Sequence, residues 1–295
     1  MVSLVASISY PPIPIFHVGP FRLSLHGLMA GVGFVVGAIL MLREARRRGF
    51  DEVKITSVLT WALVGSILGA RLFTVPAHLD EGLIEALQPF KSFSIMGGFA
   101  GGILVGAWRM RMLGLNVLVH MDLAAVGLAI GTVVGRIGDL FIVEHLGART
   151  NFFLGYLLKP GYDVAPQHDA LERLCETAGE CGPYHHAGLY DMLGAGVLLG
   201  LLYLVARRWT NIRYGALIFM WAAWYGFQRF LIDVTRNNDL PNADATAGPF
   251  TWNQWTGLTV GLLATAVFLW IIIRKQTPVV SSEEDAARGA VISSE

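Results

Sequence analysis

From Leu25 onward the chain is a succession of apolar runs of about 20 residues, the length that carries an α-helix across the hydrocarbon core of a bilayer. They fall near residues 25–42, 55–75, 93–112, 118–141, 189–206, 214–232 and 256–273. No other feature constrains the fold as strongly. Backbone removed from water must satisfy its N–H and C=O groups internally, and runs of this length do so as helices. The expected fold is therefore an all-α polytopic membrane protein with seven transmembrane helices. Composition agrees, with 54% hydrophobic residues against 15% charged and a mean hydropathy of +0.54. A formal net charge of +0 excludes the broad basic surface of a nucleic-acid binder.

The basic residues that remain carry topology. Arg43, Arg46, Arg47 and Arg48 close the first run, Arg109 and Arg111 the third, Arg207, Arg208 and Arg213 the fifth, and Arg274 and Lys275 the seventh. Basic residues gather at cytoplasmic turns, so the N-terminus is expected outside and the C-terminus inside. Met1 to Pro20 is apolar but broken by Pro11, Pro12, Pro14 and Pro20, which forbids a continuous helix and predicts an interfacial segment. It lacks the basic start and small-residue cleavage site of a signal peptide, so the first span is expected to stay. Residues 1–275 are read as one transmembrane domain, residues 141–187 as an outer loop or cap, and residues 276–295 as a disordered cytoplasmic tail. Cys175 and Cys181 share the outer loop; they form a local disulfide if it faces an oxidising compartment and otherwise stay as thiols.

One run ends unlike the others. In Gly131-Thr-Val-Val-Gly135-Arg136-Ile-Gly138-Asp139-Leu-Phe-Ile-Val-Glu144-His145-Leu-Gly147-Ala-Arg149-Thr150 an apolar span leads straight into a cluster of charges. A charge at mid-bilayer costs roughly 2.5–3.5 kcal/mol on insertion scales, so such residues mark a task. On a helix Arg136 and Asp139 share a face, and Gly135 and Gly138 let neighbouring backbone or a ligand approach. A pair that only joins two helices is the structural alternative; Glu144, His145 and Arg149 make it a constellation. The third span opens with Met96-Gly-Gly98 and Gly101-Gly102, a density of small residues that predicts close helix contact in lipid.

With that topology the outer ends of the spans collect His26, Arg71, Met96, Arg136 to Glu144, His185, His186, Arg229 and Asp233 at one depth. Arginines beside carboxylates and histidines hold a phosphate and move a proton.

These residues fall in an order that resembles the prolipoprotein diacylglyceryl transferases of bacterial inner membranes, from Pro11 to Arg274. Gly135-Arg136-Ile137-Gly138 through Glu144 and Gly147 looks like the family signature. Phe16-His-Val-Gly-Pro20 with His26-Gly-Leu-Met, Gly69-Ala-Arg71-Leu72, Met96-Gly-Gly98, His185 to Asp191, and Tyr225-Gly-Phe-Gln-Arg229 with Arg236 follow in the family's order. There are departures. The usual asparagine is Asp139, the usual tyrosine of the first span is His26, the usual histidine before Gly-Gly is Met96, and the loop motif ends in Asp191 where the family has glutamate.

The resemblance implies transfer of the diacylglyceryl group of phosphatidylglycerol to the lipobox cysteine of a prolipoprotein signal peptide, in a multi-pass protein of the bacterial cell inner membrane. It implies Arg136, Glu144, Arg229 and His26 as catalytic residues, with Arg136 and Arg229 on the phosphate, Glu144 orienting substrate or accepting a proton, and His26 taking over proton handling that Met96 cannot perform. Arg136, Asp139, Gly147, Arg149, Arg71, His185 and Arg236 are the expected substrate-binding residues. Metal-ligand spacing is absent from the sequence, and neither metal nor cofactor is expected. Two other classes stay open on the residues alone. One is a same-fold paralogue that binds phospholipid headgroups without the transfer. The other is a small-solute transporter, which would carry internal repeats and helices broken near the midplane.

Overall fold

The computed structural model describes residues 7–13, 16–18, 21–75, 94–143, 145–162, 168–179, 181–208, 213–236 and 246–274. Glu144, the connection over 76–93 and the tail from 275 onward lie outside them. The described residues are mostly helical: α1 (Leu25–Arg47), α2 (Glu52–Leu72), α3 (Ile95–Met112), α4 (Val117–Ile142), a short α5 (Asp169–Ala178), α6 (Ala187–Arg208), α7 (Ala216–Val234) and α8 (Trp252–Ile273). Five helices are long and apolar enough to cross a membrane: α1, α2, α4, α6 and α8. The seven runs read from the sequence all appear as helices, with ends displaced by up to five residues. Caps set some of those ends. Asp51 accepts from the Val53 and Lys54 amides and starts α2, Ser94 caps α3, and Thr251 with Gln254 closes a capping box at α8.

The all-helical expectation missed three short two-stranded antiparallel sheets. β1 (Phe16–Val18) pairs with β2 (Phe21–Leu23), β3 (Leu146–Arg149) with β4 (Tyr184–His186), and β5 (Thr246–Ala247) with β6 (Phe250–Thr251). They fold the segments outside the helices, where backbone groups need partners that no helix supplies.

The chain forms two compact units, Met1–Gly37 with Ala125–Gln276, and a second whose described part is residues 38–75 and 94–124. In the second, α2 and α3 pack backbone to backbone. A Cβ on Gly69 would lie 2.4 Å from the Gly97 carbonyl oxygen, and one on Gly101 would lie 2.2 Å from that of Gly65. Such contact replaces the absent hydrophobic force between helices in lipid with dispersion. Arg71 is buried and donates to the Thr74 hydroxyl at 2.6 Å. A small core of Met41, Ala45, Ile55 and Leu123 lies near the arginine-rich end of α1, where Arg46 pairs with Glu52 and both Arg47 and Arg48 with Glu44.

In the first unit, α1 and α4 meet through Gly33 against Gly131 and Gly37 against Gly127, again carbonyl to Cα. Helices α7 and α8 use Gly226, Gly257 and Gly261 in the same way. Past the C-terminal end of α4 a separate core forms from Val143, Leu146, Tyr156, Leu158, Leu171, Cys175 and Tyr184. Cys175 and Cys181 are joined as a disulfide within it. The proline-broken N-terminal segment is strapped onto this cap. The Ile8 amide donates to Gly155 O at 2.9 Å, the Leu157 amide donates to Ile8 O at 2.8 Å, and Tyr156 in turn pairs with Tyr184.

Candidate functional site

The signature glycines explain how α1 and α4 meet. A Cβ on Gly138 would stand 2.6 Å from Leu25 O and 2.7 Å from His26 Cα, so only glycine lets the first turn of α1 rest on α4 there. That contact brings His26 onto Asp139, with Nδ1 hydrogen-bonded to Oδ1. The other carboxylate oxygen accepts from Arg136, one turn back on α4. The second terminal nitrogen of Arg136 pairs with Asp191 of α6. Gly188 supports this by clearing space for Asp139, whose Cβ would lie 3.1 Å from a side chain there. Asp139 is 0% exposed, Asp191 4% and Arg136 6%. Charges this deep hold only when paired, and these three are.

Asp191 is fixed from behind. Gln228 Nε2 donates to its Oδ1 at 2.5 Å and to its carbonyl at 3.0 Å, while Trp224 Nε1 donates to Gln228 Oε1 at 2.7 Å. Gly194 makes room for that amide, which would lie 2.3 Å from any Cβ there. Two carboxylates thus face one guanidinium, a local excess of one negative charge before the histidines are counted.

A second cluster has the opposite balance. At the end of α7 Asp233, fully buried, pairs with Arg229 at 3.6 Å and Arg236 at 3.5 Å, and accepts from the Thr251 hydroxyl at 2.5 Å. Two guanidiniums on one carboxylate leave one net positive charge, so the cluster can receive an anion without first finding a counter-ion. His145 stands in the field of both clusters. It lies 3.5 Å from Asp139 and feels Arg136, Arg236 and His26 as well. Burial, helped by Arg136 and Arg236, holds its imidazole well below the ordinary range, against the pull of Asp139.

The chain leaves α4 through Val143, whose φ of 51° is rare for a β-branched residue and is held by complete burial in the cap core. Gly147 then lies against the end of α7. A Cβ there would be 2.1 Å from Thr235 O, the acceptor of the Ala148 amide at 2.9 Å. Arg149 is exposed, with its guanidinium 5.9 Å from the Tyr184 ring centre. His185 Nδ1 is 3.0 Å from the Tyr190 hydroxyl. Of the expected site residues, His26, Arg136 and Asp139 are brought together, as are Arg229 and Arg236. Gly147, Arg149 and His185 belong to the β3–β4 sheet of the cap, Arg71 to the second unit, and Glu144 falls outside the described residues.

Tyr10, Tyr156 and His168 gave no sequence signal. Tyr10 donates its hydroxyl proton to Leu140 O at 2.7 Å and lies 2.9 Å from His186 Nε2, from which it accepts, and Tyr156 donates to Tyr10 O at 2.5 Å. His168 Nε2 accepts the Leu146 amide at 3.0 Å. Burial pushes Tyr10 up to about 12 and His186 down to about 4, so both are neutral near pH 7. Among the described residues no group of three histidine, cysteine or carboxylate side chains stands in position to hold a metal ion.

Fold and site define a class: a polytopic helical membrane protein with ionised groups buried between helix ends, two arginines of which carry a net positive charge. Residues 13–271 match the family described as prolipoprotein diacylglyceryl transferase, and the chain belongs to that family. Relatives named phosphatidylglycerol–prolipoprotein diacylglyceryl transferase include one from Gloeobacter violaceus, 31% identical over 88% of this chain and 93% of its own length. One from Frankia alni is 29% identical over 97% of this chain and 73% of its own, and one from Bacillus cytotoxicus is 26% identical over 88% and 91%.

Proposed function

We propose that the chain transfers the diacylglyceryl group of phosphatidylglycerol to the thiol of a prolipoprotein signal peptide. The cysteine sulfur attacks the glyceryl carbon, a C–S bond forms, the C–O bond to phosphate breaks, and glycerol phosphate leaves with the bonding pair. The thiol proton passes to a base and from there to the departing phosphate or to water. The observation that carries the reading is the pair of unlike clusters, an Arg229–Asp233–Arg236 group with a net positive charge beside a His26–Asp139–Arg136–Asp191 group with acceptors to spare.

In this reading Arg229 and Arg236 hold the phosphate. Arg136 was expected on the phosphate too; because it is 6% exposed and pairs with Asp139 and Asp191 through its two terminal nitrogens, we assign it to positioning those carboxylates. Asp139 fixes the Nδ1–H tautomer of His26 and stabilises the imidazolium formed when Nε2 takes the thiol proton, the division of labour of a histidine–aspartate pair. The accessible side chain of His26, 27% exposed against 0% for Asp139, fits that assignment. Glu144 keeps the substrate-orienting role that its place in the signature implies, and Arg71 and Arg149 are assigned to headgroup contacts.

The chain is read as a seven-helix protein of the bacterial inner membrane, with α3 and α7 as its shorter spans, the N-terminus outside and the cap on the oxidising face. The Cys175–Cys181 disulfide supports that orientation, as do the arginines in the last turns of α1 and α3. The test is reconstitution in phosphatidylglycerol liposomes with a lipobox peptide. A thioether-linked diacylglyceryl peptide and one equivalent of glycerol phosphate are expected. Binding of the lipid without either product would make the chain a headgroup-binding paralogue.

A further inference from the structure

The cap carries an exposed aromatic turn that the transfer reaction does not use, beside the Arg149 assigned above to headgroup contacts. Between β3 and Tyr156 the chain makes a tight turn in which the Gly155 amide donates to Phe152 O at 2.8 Å and the Phe152 amide donates to the Thr150 hydroxyl at 3.1 Å. Gly155 is required, since a Cβ would stand 2.9 Å from Thr150 Cγ2 and 3.0 Å from Phe152 O. This turn presents two phenylalanines outward, Phe152 44% and Phe153 57% exposed, with ring centres 4.6 Å apart. Exposing two adjacent aromatics to water is unfavourable in proportion to their apolar area.

Their surroundings say what covers them. Phe152 packs edge-on against Tyr190 at 5.8 Å, and Tyr190 lies in the first turn of α6. Below it on the same helix, Leu193 and Val197 are 45% and 54% exposed, a stripe at helical spacing on a transmembrane helix. The turn thus bends back toward the membrane and tops a lipid-facing stripe. Arg149 is exposed at the foot of the turn. Aromatic rings with an adjacent cation fit the boundary between acyl chains and an anionic headgroup layer.

We propose that the Phe152–Phe153 turn is a membrane-inserting tip, held at the headgroup level of an anionic bilayer with Arg149 against lipid phosphates. It tethers the cap at the depth where a lipid substrate must enter. The inference rests on the membrane-spanning reading of α6 and not on the transfer reaction, so the two fail separately.

The test is depth by spin labelling. Both native cysteines are in the disulfide, so Phe153→Cys supplies a single reactive thiol for a nitroxide. The labelled protein is placed in nanodiscs of phosphatidylcholine with and without phosphatidylglycerol, and collision rates with oxygen and with an aqueous nickel chelate are compared. Leu193→Cys serves as the lipid reference and a nitroxide free in buffer as the aqueous one. Oxygen should outweigh nickel at position 153, as it does at 193, and the label should sit deeper with phosphatidylglycerol present. The added Arg149→Gln change should abolish that difference. Nickel-dominated collisions like those in buffer would overturn the proposal. So would a label shielded from both probes only once a lipobox peptide is added, which would make the turn a peptide dock. A lipid-level label indifferent to headgroup charge would overturn the role given to Arg149.

Discussion

His26 of α1 and Asp139 of α4 are joined by a direct hydrogen bond, Nδ1 to Oδ1. Both positions depart from the residues usual in the signature motifs, tyrosine and asparagine, and the two departures touch each other. In this chain the contact is between an imidazole and a carboxylate. The carboxylate holds the proton on Nδ1 and leaves Nε2 as the basic nitrogen.

If the pair acts as a unit, its loss is not additive. Asp139→Asn should keep a hydrogen bond but remove the charge, lowering kcat more than tenfold and altering the acidic limb of the kcat/KM profile. His26→Tyr should do the same, and the double variant should be little worse than either single one. Additive losses in steady-state assays would separate the two residues. Asp139 and His145 are among the groups that face His26 in such a profile.

The two glycines of the signature differ in what they touch. A methyl group on Gly135 would meet only Ala30 Cα, at an ordinary 3.6 Å, whereas one on Gly138 would meet Leu25 O at 2.6 Å. Gly135→Ala should keep activity within about twofold. Gly138→Ala should push the start of α1 away and cost most of the turnover while the protein still purifies as a monodisperse species. Equal effects would contradict the packing described.

Arg136 and Arg229 should fail differently on truncation. Arg136→Ala leaves Asp139 and Asp191 buried without their shared guanidinium, a loss on the order of 3–5 kcal/mol in folding. Arg229→Ala leaves Asp233 with Arg236 and Thr251, so the fold should hold while phosphate binding and transfer drop together. Thermal unfolding in detergent, run beside the liposome assay, distinguishes the two.

The cap should loosen in mild acid. His186 is 0% exposed, surrounded by Tyr10, Tyr156, His168 and Asp139, and titrates near 4 against about 6.5 when unfolded. The unfolded chain binds the extra proton between those values, so this stability is full above about pH 6.5 and lost as pH falls toward 4, on the order of 3 kcal/mol in all. Limited proteolysis of the N-terminal strap should accelerate between pH 7 and pH 5. His186→Phe should flatten that dependence.

Orientation has a direct readout. Cysteines placed at Arg46 and Arg208 should resist impermeant reagents added from outside, and one at Asn151 should react. The reverse pattern would invert the reading of both the cap and the site.

The helices were legible because a bilayer demands long apolar runs whatever they pack against. Their ends were less so, since Asp51 and Thr251 act through capping geometry that hydropathy does not register. The Gly135–Asp139 stretch stood out as charge where charge is costly. What could not be read was partnership at long range: Asp191 for Arg136, Thr251 for Asp233, Gln228 behind Asp191. Each lies on another element, and nothing in a local period announces it. Tyr10 was the least legible, in a segment whose prolines hide its pairing with Tyr156.

The spacing of Arg136 and Asp139, one helical turn apart on α4, also bears on biogenesis. When α4 first leaves the translocation channel, Asp191 has not yet been synthesised, and an unpartnered arginine would resist entering lipid. Because Asp139 travels on the same helix, the segment partitions as a nearly neutral dipole. Asp191 arrives two connections later, on α6, and converts that dipole into a three-helix knot with His26. The order of the chain thus lets α4 carry its arginine already paired before the partner on α6 exists.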